Sequence, residues 1–278
     1  LAELHLFPDL EYVLCLHESV AVAMADGYAR AGGGPGVVSV HTFPGTANSL
    51  GNLYNAWRDR IPVVITAGQK DTRILGHDAF CEAPDLLAIP RQFCKLSWQT
   101  LRPEQIPEVT VRALKTAMSH PRGPAYVLIP EDHQATVMKY ELPDPGRFRA
   151  DGPVRPAPEL VAAAVDLLLA ARRPLVMVGN EVGQSGAVDL AVELAELYGA
   201  PVWAEDRRTL NCLTFPNRHP LYQGTFDHRD ETVRECDVLL ALDRDTLAGG
   251  RGAGRARGQP DAAGHHDQCQ QPAADPGP

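Results

Sequence analysis

The chain has 278 residues, 44% of them hydrophobic and 22% charged, which fits a globular protein with room for about two domains. Its formal net charge of −9 argues against a nucleic-acid partner, because phosphate binding needs clustered Lys and Arg. No apolar run reaches the roughly 18 residues of a membrane span, and the polar start lacks a signal-peptide pattern. The six cysteines include no CxxC pair, so we expect reduced thiols in a cytoplasmic protein with no membrane partner.

Residues 1–140 alternate strand-like and helix-like segments, which predicts an α/β fold with a parallel sheet covered on both faces. The predicted strands are Tyr12–Leu16, Val37–His41, Ile61–Ala67 and Ala125–Ile129, and the predicted helices are Ser19–Arg30, Asn48–Arg58 and Pro107–Ser119. Since Ser19–Arg30 is apolar almost all round, we expect this helix to be buried on several sides. Gly45 is expected to turn the chain before the second helix, with Thr46 or Asn48 as its cap.

Residues 141–158 are rich in Pro and Gly and predict a linker at the surface. Residues 159–243 then predict a second, Rossmann-like parallel α/β layer. Its predicted strands are Leu175–Gly179, Pro201–Ala204 and Val238–Leu242, and its predicted helices are Leu160–Ala171, which we expect to be amphipathic, and Ala187–Tyr198. The Gly-rich turn from Gly179 to Gly186 lacks the GxGxxG spacing, so a tight turn is favoured over a site for a nucleotide phosphate.

Residues 244–278 have a composition dominated by Gly, Ala, Pro and Arg, with Leu247 as their only large aliphatic residue, and predict a disordered tail. Two origins are open: a natural flexible tail, or a shifted reading frame in a GC-rich gene. The tail's His and Cys cluster has no supporting fold and is not expected to bind metal. Because the chain begins without Met and Tyr12–Leu16 has no preceding strand, we expect the front of the first domain to be missing.

Two side chains in the first region have the chemistry of a site. Glu18 stands between an apolar segment and an apolar helix, where it is either a partly buried functional carboxylate or a helix-start Glu that reaches solvent. A functional Glu18 would hold a protonated ring nitrogen or titrate near neutrality. His41 ends a predicted strand, at the edge where parallel sheets bind ligands. From its position alone, bonding to nearby backbone is the favoured role of His41.

Several ordered segments resemble the pyrimidine-binding domain of thiamin-diphosphate enzymes. These are Leu16–Glu18, Ala25–Arg30, His41–Asn48, Asn55–Trp57 and Pro62–Gln69. Within that superfamily the pattern is most similar to the benzoylformate decarboxylase family, which has a His in the place of His41. Ala200–Trp203 and Phe215–Pro220 resemble the central domain of the same family, so the likeness covers about residues 1 to 243.

The resemblance implies a 2-oxo-acid decarboxylase with thiamin diphosphate and Mg²⁺ as cofactors. Glu18 and His41 are implied as catalytic residues: Glu18 would favour the imino form of the aminopyrimidine ring, and His41 would orient the substrate or relay a proton. The implied cofactor-binding residues are Glu18, Gly45, Thr46, Asn48, Gly68 and Gln69. The resemblance also implies a homodimer or homotetramer for the full-length protein.

One departure from the family concerns the diphosphate, which the family holds through a Gly-Asp-Gly motif that this sequence lacks. The magnesium ligands are therefore not in this chain, and we expect the chain alone to be inactive. Two alternatives are open: a carboligase similar to acetolactate synthase, and a non-catalytic or split-subunit α/β protein that binds a nucleotide at Gly179–Gly186.

Overall fold

The computed structural model describes residues 2–32, 34–141, 143–144, 146, 155–205 and 212–243. The predicted disordered tail and most of the predicted linker lie outside these ranges. Contacts join both sheets described below into one compact unit, Leu1–Arg244. Within the described ranges, no helix combines the length and the apolar character that crossing a membrane requires. Five of the cysteines lie in these ranges, and all five are free thiols.

The first sheet is parallel throughout and confirms the predicted α/β fold. Its strands are β1 (Gly36–His41), β2 (Val63–Gln69), β3 (Leu96–Gln99) and β4 (Ala125–Pro130), in the order β1-β2-β4-β3. The helices are α1 (Glu18–Arg30), α2 (Thr42–Arg58), α3 (Ala88–Arg91), α4 (Ile106–Met118) and α5 (Glu131–Ala135), with 3₁₀ turns at Ala2–Leu6 and Pro103–Gln105.

Successive side chains of β2 point to opposite faces of the sheet, and each face carries its own core. Val63 and Ile65 pack with α1 and α2 residues such as Val22 and Leu53. Val64 packs on the other face, against α4. Because both faces are covered by helices, the strand is a nearly continuous apolar run, and this is why it is visible in the sequence.

The second sheet is also parallel, with the strand order β7-β6-β5-β8. Its elements are α6 (Pro158–Ala170), β5 (Pro174–Val178), α7 (Asn180–Gln184), α8 (Val188–Tyr198), β6 (Val202–Ala204), β7 (Tyr222–Thr225), α9 (Glu231–Glu235) and β8 (Val238–Leu242). Its core gathers buried residues from β5, β6 and α8 around Phe215. The Rossmann-like prediction for this region is confirmed.

Tyr12–Leu16 was predicted as a strand, and this is wrong: the segment is irregular and makes no ladder with any described strand. Leu14 is 76% exposed, so the apolar side chains of this segment are not core residues of the described fold. Backbone N–H and C=O groups need a neighbouring strand to form a sheet, and apolar composition alone does not supply one.

The helices also correct three expectations. First, α2 begins at Thr42, six residues before the predicted start, so Gly45, Thr46 and Asn48 lie inside the helix instead of forming its turn and cap. Second, α1 buries only Val22 and Ala25 among its residues, so it is not enclosed on several sides. Third, α6 buries only Leu168 and leaves several other leucines mostly exposed, so it lacks the continuous buried apolar face of an amphipathic helix.

Candidate functional site

The candidate site lies at the carboxyl edge of the first sheet, where two helices begin. A short turn connects the end of α1 to β1, and α2 begins directly after His41, the last residue of β1. Both helices therefore start at the edge where the parallel strands end, which is the usual place for a ligand in such sheets. This arrangement puts Glu18, the first residue of α1, at the same edge as His41.

His41 is exposed at the end of β1 and pairs in register with Gly68 of β2. A Cβ atom added to Gly68 would lie 3.6 Å from His41 Nδ1 and 3.6 Å from Gln134 Nε2. Gln134, in α5, donates a hydrogen bond of 2.7 Å to the carbonyl oxygen of Ile129. Gly68 thus leaves open space between an imidazole and an amide. Sequence reasoning missed Gln134, because α5 carries no strong helix pattern.

The backbone directly after His41 is strained. Thr42 has a φ of 44°, in the left-handed region that a β-branched residue rarely adopts. Its hydroxyl oxygen is buried and has no hydrogen-bond partner among the residues that the structure describes. Strain of this kind costs about 1–3 kcal/mol and often occurs at functional sites. The strained residue joins β1 to α2 and so fixes the direction in which His41 leaves the sheet.

The hydroxyl of Thr46 forms its hydrogen bonds inside the protein. Its Oγ1 donates to the carbonyl oxygen of Thr42 at 2.9 Å and lies 2.8 Å from the hydroxyl of Tyr126, which is then the donor of that pair. Burial raises the pKa of Tyr126 to about 12, so its hydroxyl is protonated at neutral pH. Gly45 is also interior, since an added Cβ would lie 2.9 Å from Val40 Cβ. The amide oxygen of buried Gln69 accepts from Lys70 N at 2.9 Å.

Glu18 is the charged member of the site. Its own backbone amide and, secondly, the side-chain amide of Asn48 hydrogen-bond the carboxylate and lower its pKa. The Asn48 Nδ2–Glu18 Oε2 distance is 3.0 Å. Glu18 is half-buried, so it combines the two sequence interpretations: it starts a helix and is partly enclosed. Because its pKa is lowered, Glu18 does not titrate near neutrality in this structure. The carboxylate is charged and accepts hydrogen bonds.

The predicted site residues therefore fall into two groups. Glu18 and Asn48 are in contact, and Gly68 lies beside His41 at the same edge. Gly45, Thr46 and Gln69 are instead buried in the protein interior, beneath the carboxyl edge of the first sheet. Among the described residues, no group of three His, Cys, Asp or Glu side chains is placed to hold a metal ion.

In the glycine-rich turn of the second sheet, Gly179–Gly186, other residues of the chain occupy the space beside the glycines. A Cβ on Gly179 would lie 1.9 Å from the carbonyl oxygen of Asp243, and one on Gly183 would lie 2.4 Å from that of Leu213. The Asp243 carboxylate accepts from the backbone amide of Glu181 at 2.8 Å, the place that a phosphate would take. These contacts support the tight-turn interpretation of Gly179–Gly186 over a phosphate site.

Comparison with known families identifies both α/β layers. Residues 1–89 match the model "Thiamine pyrophosphate enzyme, N-terminal TPP binding domain", and residues 161–247 match "Thiamine pyrophosphate enzyme, central domain". The first match ends before β3 and β4, which the structure shows to complete the same sheet.

Three known proteins show what the chain is similar to. A benzoylformate decarboxylase of Pseudomonas aeruginosa is 36% identical over 219 residues, 78% of this chain and 41% of that protein. The acetolactate synthase isozyme 3 large subunit of Escherichia coli is 35% identical over 248 residues, 86% of this chain and 42% of that protein. A crystal structure of a putative thiamin diphosphate-dependent enzyme from Mycobacterium smegmatis matches with a TM-score of 0.74 and 34% identity, over 86% of this chain and 46% of that one. The chain thus spans less than half the length of these relatives.

Proposed function

We propose that this chain, which carries the N-terminal and central domains of thiamine pyrophosphate enzymes, is the front part of a 2-oxo-acid decarboxylase. The proposed reaction is non-oxidative cleavage of the bond between the carboxyl and carbonyl carbons, which releases carbon dioxide. The observation that carries the proposal is the charged Glu18 carboxylate at the start of α1, with His41 at the same sheet edge. The 36% identity to a benzoylformate decarboxylase supports the substrate class.

The residues present fit the pyrimidine end of thiamin diphosphate. When bound, this cofactor supplies an electron sink for the carbanion that decarboxylation leaves. Glu18, as an ionised carboxylate, is suited to accept a hydrogen bond from a protonated ring nitrogen. The diphosphate end is left out of the proposal, because the sequence lacks the Gly-Asp-Gly motif by which the resembling family holds it. We therefore assign only the pyrimidine end to this chain.

His41 is proposed to act on the substrate. Its ring is exposed at the end of β1, so it can accept or donate a proton at the sheet edge. Gly68 keeps the space between His41 and Gln134 free, and the Gln134 amide stands on the far side of that space. An imidazole and an amide N–H are both suited to hydrogen-bond a small polar group such as a carboxylate. The role proposed for His41 is to orient the 2-oxo acid and to transfer a proton.

A carboligase similar to acetolactate synthase is the second candidate. It is favoured by the acetolactate synthase relative, which matches 86% of this chain against 78% for the decarboxylase relative. Both candidates use a carboxylate in the place of Glu18, so that residue does not separate them. The product separates the two candidates: a decarboxylase releases an aldehyde, whereas a carboligase joins two acyl units. A nucleotide-binding role has less support, because the backbone amide of Glu181 in the glycine turn already donates a hydrogen bond to the Asp243 carboxylate.

The full-length protein is further proposed to be a homodimer or homotetramer. The outer faces of α1 and α2 carry large apolar side chains that are 41–56% exposed in the described chain, including Val20, Met24, Tyr28 and Trp57. A patch of this kind is typical of a protein–protein interface. Light scattering on the full-length protein tests this proposal, and a monomeric mass would refute it.

The experiment that tests the proposed reaction is a chimera. Residues 1–243 replace the matching front of the Pseudomonas aeruginosa benzoylformate decarboxylase, which supplies the remaining length. We expect thiamin-diphosphate-dependent release of carbon dioxide and aldehyde from an aromatic 2-oxo acid. Glu18→Gln in the chimera should lower the rate at least about a hundredfold, the scale of a lost acid–base group. A chimera that folds and binds the cofactor but turns over no 2-oxo acid would refute the proposal, and formation of acetolactate from pyruvate would favour the second candidate.

A further inference from the structure

Two asparagines of α2, one helical turn apart, connect this helix to the first two residues of α1. Asn48 Nδ2 donates to Glu18 Oε2 at 3.0 Å. Asn52 Nδ2 donates to both the carbonyl oxygen and the hydroxyl oxygen of Ser19, at 2.7 and 2.9 Å. Asn55 Nδ2 in turn donates to Asn52 Oδ1 at 3.2 Å, which orients the amide of Asn52. Residues four apart on a helix share one face, so a single face of α2 makes both contacts.

We propose that Asn48 and Asn52 are positioning residues for Glu18. Asn52 fixes the first turn of α1 against α2, and Asn48 fixes the direction of the Glu18 carboxylate. The inference deepens the proposed function, since it takes Glu18 as the group that meets the cofactor. It also changes the part given to Asn48: its side-chain amide acts on the carboxylate of Glu18 and not on the cofactor itself.

The chemistry of the donor explains why an amide suits this place. An ionised carboxylate has about four lone-pair sites, so one amide donor leaves room for a ligand's N–H. A Lys or Arg at position 48 would form an ion pair with Glu18 and compete with a protonated ring nitrogen. A neutral donor instead stabilises the charged form without supplying a counter-charge. His17, which precedes Glu18 and caps α1 through Ser19 N, is the other titratable group whose charge acts on this carboxylate.

The geometry makes a prediction about Glu18 that does not depend on any cofactor. Removing the Asn48 amide removes a hydrogen bond to the charged form, so the pKa of Glu18 should rise. Asn48→Asp is close in size to the natural residue but replaces a donor with a second carboxylate, so the pKa of Glu18 should rise further than in Asn48→Ala. Asn52→Ala should raise it less than Asn48→Ala, because it acts only by loosening the first turn of α1.

The test is an NMR titration of the Glu18 side-chain carboxyl carbon in this chain, with ¹³C-labelled Glu assigned by the loss of its signal in Glu18→Gln. Gly51→Ala is the control in the same helix, because a Cβ added there meets nothing within 4 Å, and its titration should follow the wild type. Amide cross-peaks of α1 show whether the helix is intact. If Asn48→Ala unfolds α1, the pKa of Glu18 in Asn48→Asp is the deciding measurement. A pKa of Glu18 equal to the wild type in whichever of these variants keeps α1 folded overturns the proposal.

A second measurement uses the chimera and separates this proposal from the proposed function. Asn48→Ala should move the acidic limb of the kcat/KM profile to higher pH, in parallel with the titration, and Gly51→Ala should leave that limb in place. A chimera that folds and binds the cofactor but is inactive, together with a shifted titration, would refute the decarboxylase and retain the positioning role. An active chimera whose acidic limb is the same in wild type and Asn48→Ala would refute the positioning role and retain the decarboxylase.

Discussion

Two glycines of α2 should respond to the same substitution in opposite directions. A Cβ added to Gly51 meets nothing within 4 Å, whereas one added to Gly45 lies 2.9 Å from Val40 Cβ and 3.4 Å from Val40 C. Alanine is better than glycine in a helix by about 0.5–1 kcal/mol, so Gly51→Ala should stabilise the chain by roughly that amount. Gly45→Ala gains at most the same propensity, but it overpacks a rigid contact with β1, which costs about 1–3 kcal/mol. We expect a net loss of about 1–2 kcal/mol at Gly45.

Thermal unfolding followed by circular dichroism measures both variants. A change of 1 kcal/mol shifts the Tm of chains of about 150–250 residues by about 2–4 °C, so the two variants should differ by several degrees. Gly51→Ala is the internal control, because it changes propensity in the same helix without a steric contact. Because α2 starts directly after His41, the Gly45 variant should also disturb the alignment of His41 with Gly68. A Gly45→Ala protein at least as stable as Gly51→Ala would show that α2 does not approach β1 as closely as described.

Two further results are expected from the buried polar groups of the first sheet. Thr46→Val should lower the free energy of unfolding by about 1–3 kcal/mol, because it leaves the buried hydroxyl of Tyr126 without the acceptor it now has, and adding Tyr126→Phe should recover part of the loss, as measured by urea denaturation. Burial raises the pKa of the Cys94 thiol to about 12, so mass spectrometry after alkylation at neutral pH should find Cys94 unmodified in the folded chain and modified in urea, and rapid modification of the folded chain would contradict this.

The strands that were found in the sequence contain runs of apolar residues. β2 and β4 are nearly continuous runs of buried apolar residues, which the pattern alone makes visible. β3 and β7 were missed because polar residues, such as half-buried Ser97 and exposed Gln223, break the apolar pattern in these short edge strands. A short strand that contains polar side chains gives little signal in its composition.

The pairing of Glu18 with Asn48 was missed because the start of α2 was misplaced. Pro44 and Gly45 look like a turn in the sequence, but Pro fits the first turn of a helix, where no N–H is needed. Gly45 is required by the close contact with Val40 and not by a turn. With the helix starting at Asn48, that residue is a cap, and its shared face with Asn52 is hidden. A helix that starts at Thr42 puts both amides opposite the first turn of α1.

The contact between the two sheets includes two carboxylates, Asp243 and Glu181, that no local pattern predicts. Asp243, at the end of β8, lies with Oδ1 2.8 Å from Arg60 Nη1 and accepts from Glu181 N with Oδ2 at 2.8 Å. Arg60 follows α2 in the first layer, and its Nη1 is also 3.5 Å from Glu181 Oε1. The second oxygen of Glu181 is 2.6 Å from His120 Nδ1, again in the first layer. Arg60 and Asp243 both have a positive φ, so both side chains are directed by uncommon backbone conformations.

Asp243→Asn keeps the shape of this side chain but replaces one acceptor oxygen with an N–H donor. One of the two contacts must then fail, and because the Asp243 side chain is only 15% exposed, we expect a loss of about 1.5–3 kcal/mol, the range for a hydrogen bond to a charged group. The matched control is Glu235→Gln, which breaks the pair with Arg173 at the surface, where both side chains are more than half exposed. That variant should cost less than about 1 kcal/mol. If this contact makes the two sheets unfold together, the unsubstituted chain should show a single urea transition, and Asp243→Asn should broaden or split it. Equal losses for the two variants would mean that the contact between the layers is no stronger than an exposed ion pair, and that the layers are held together by apolar packing instead.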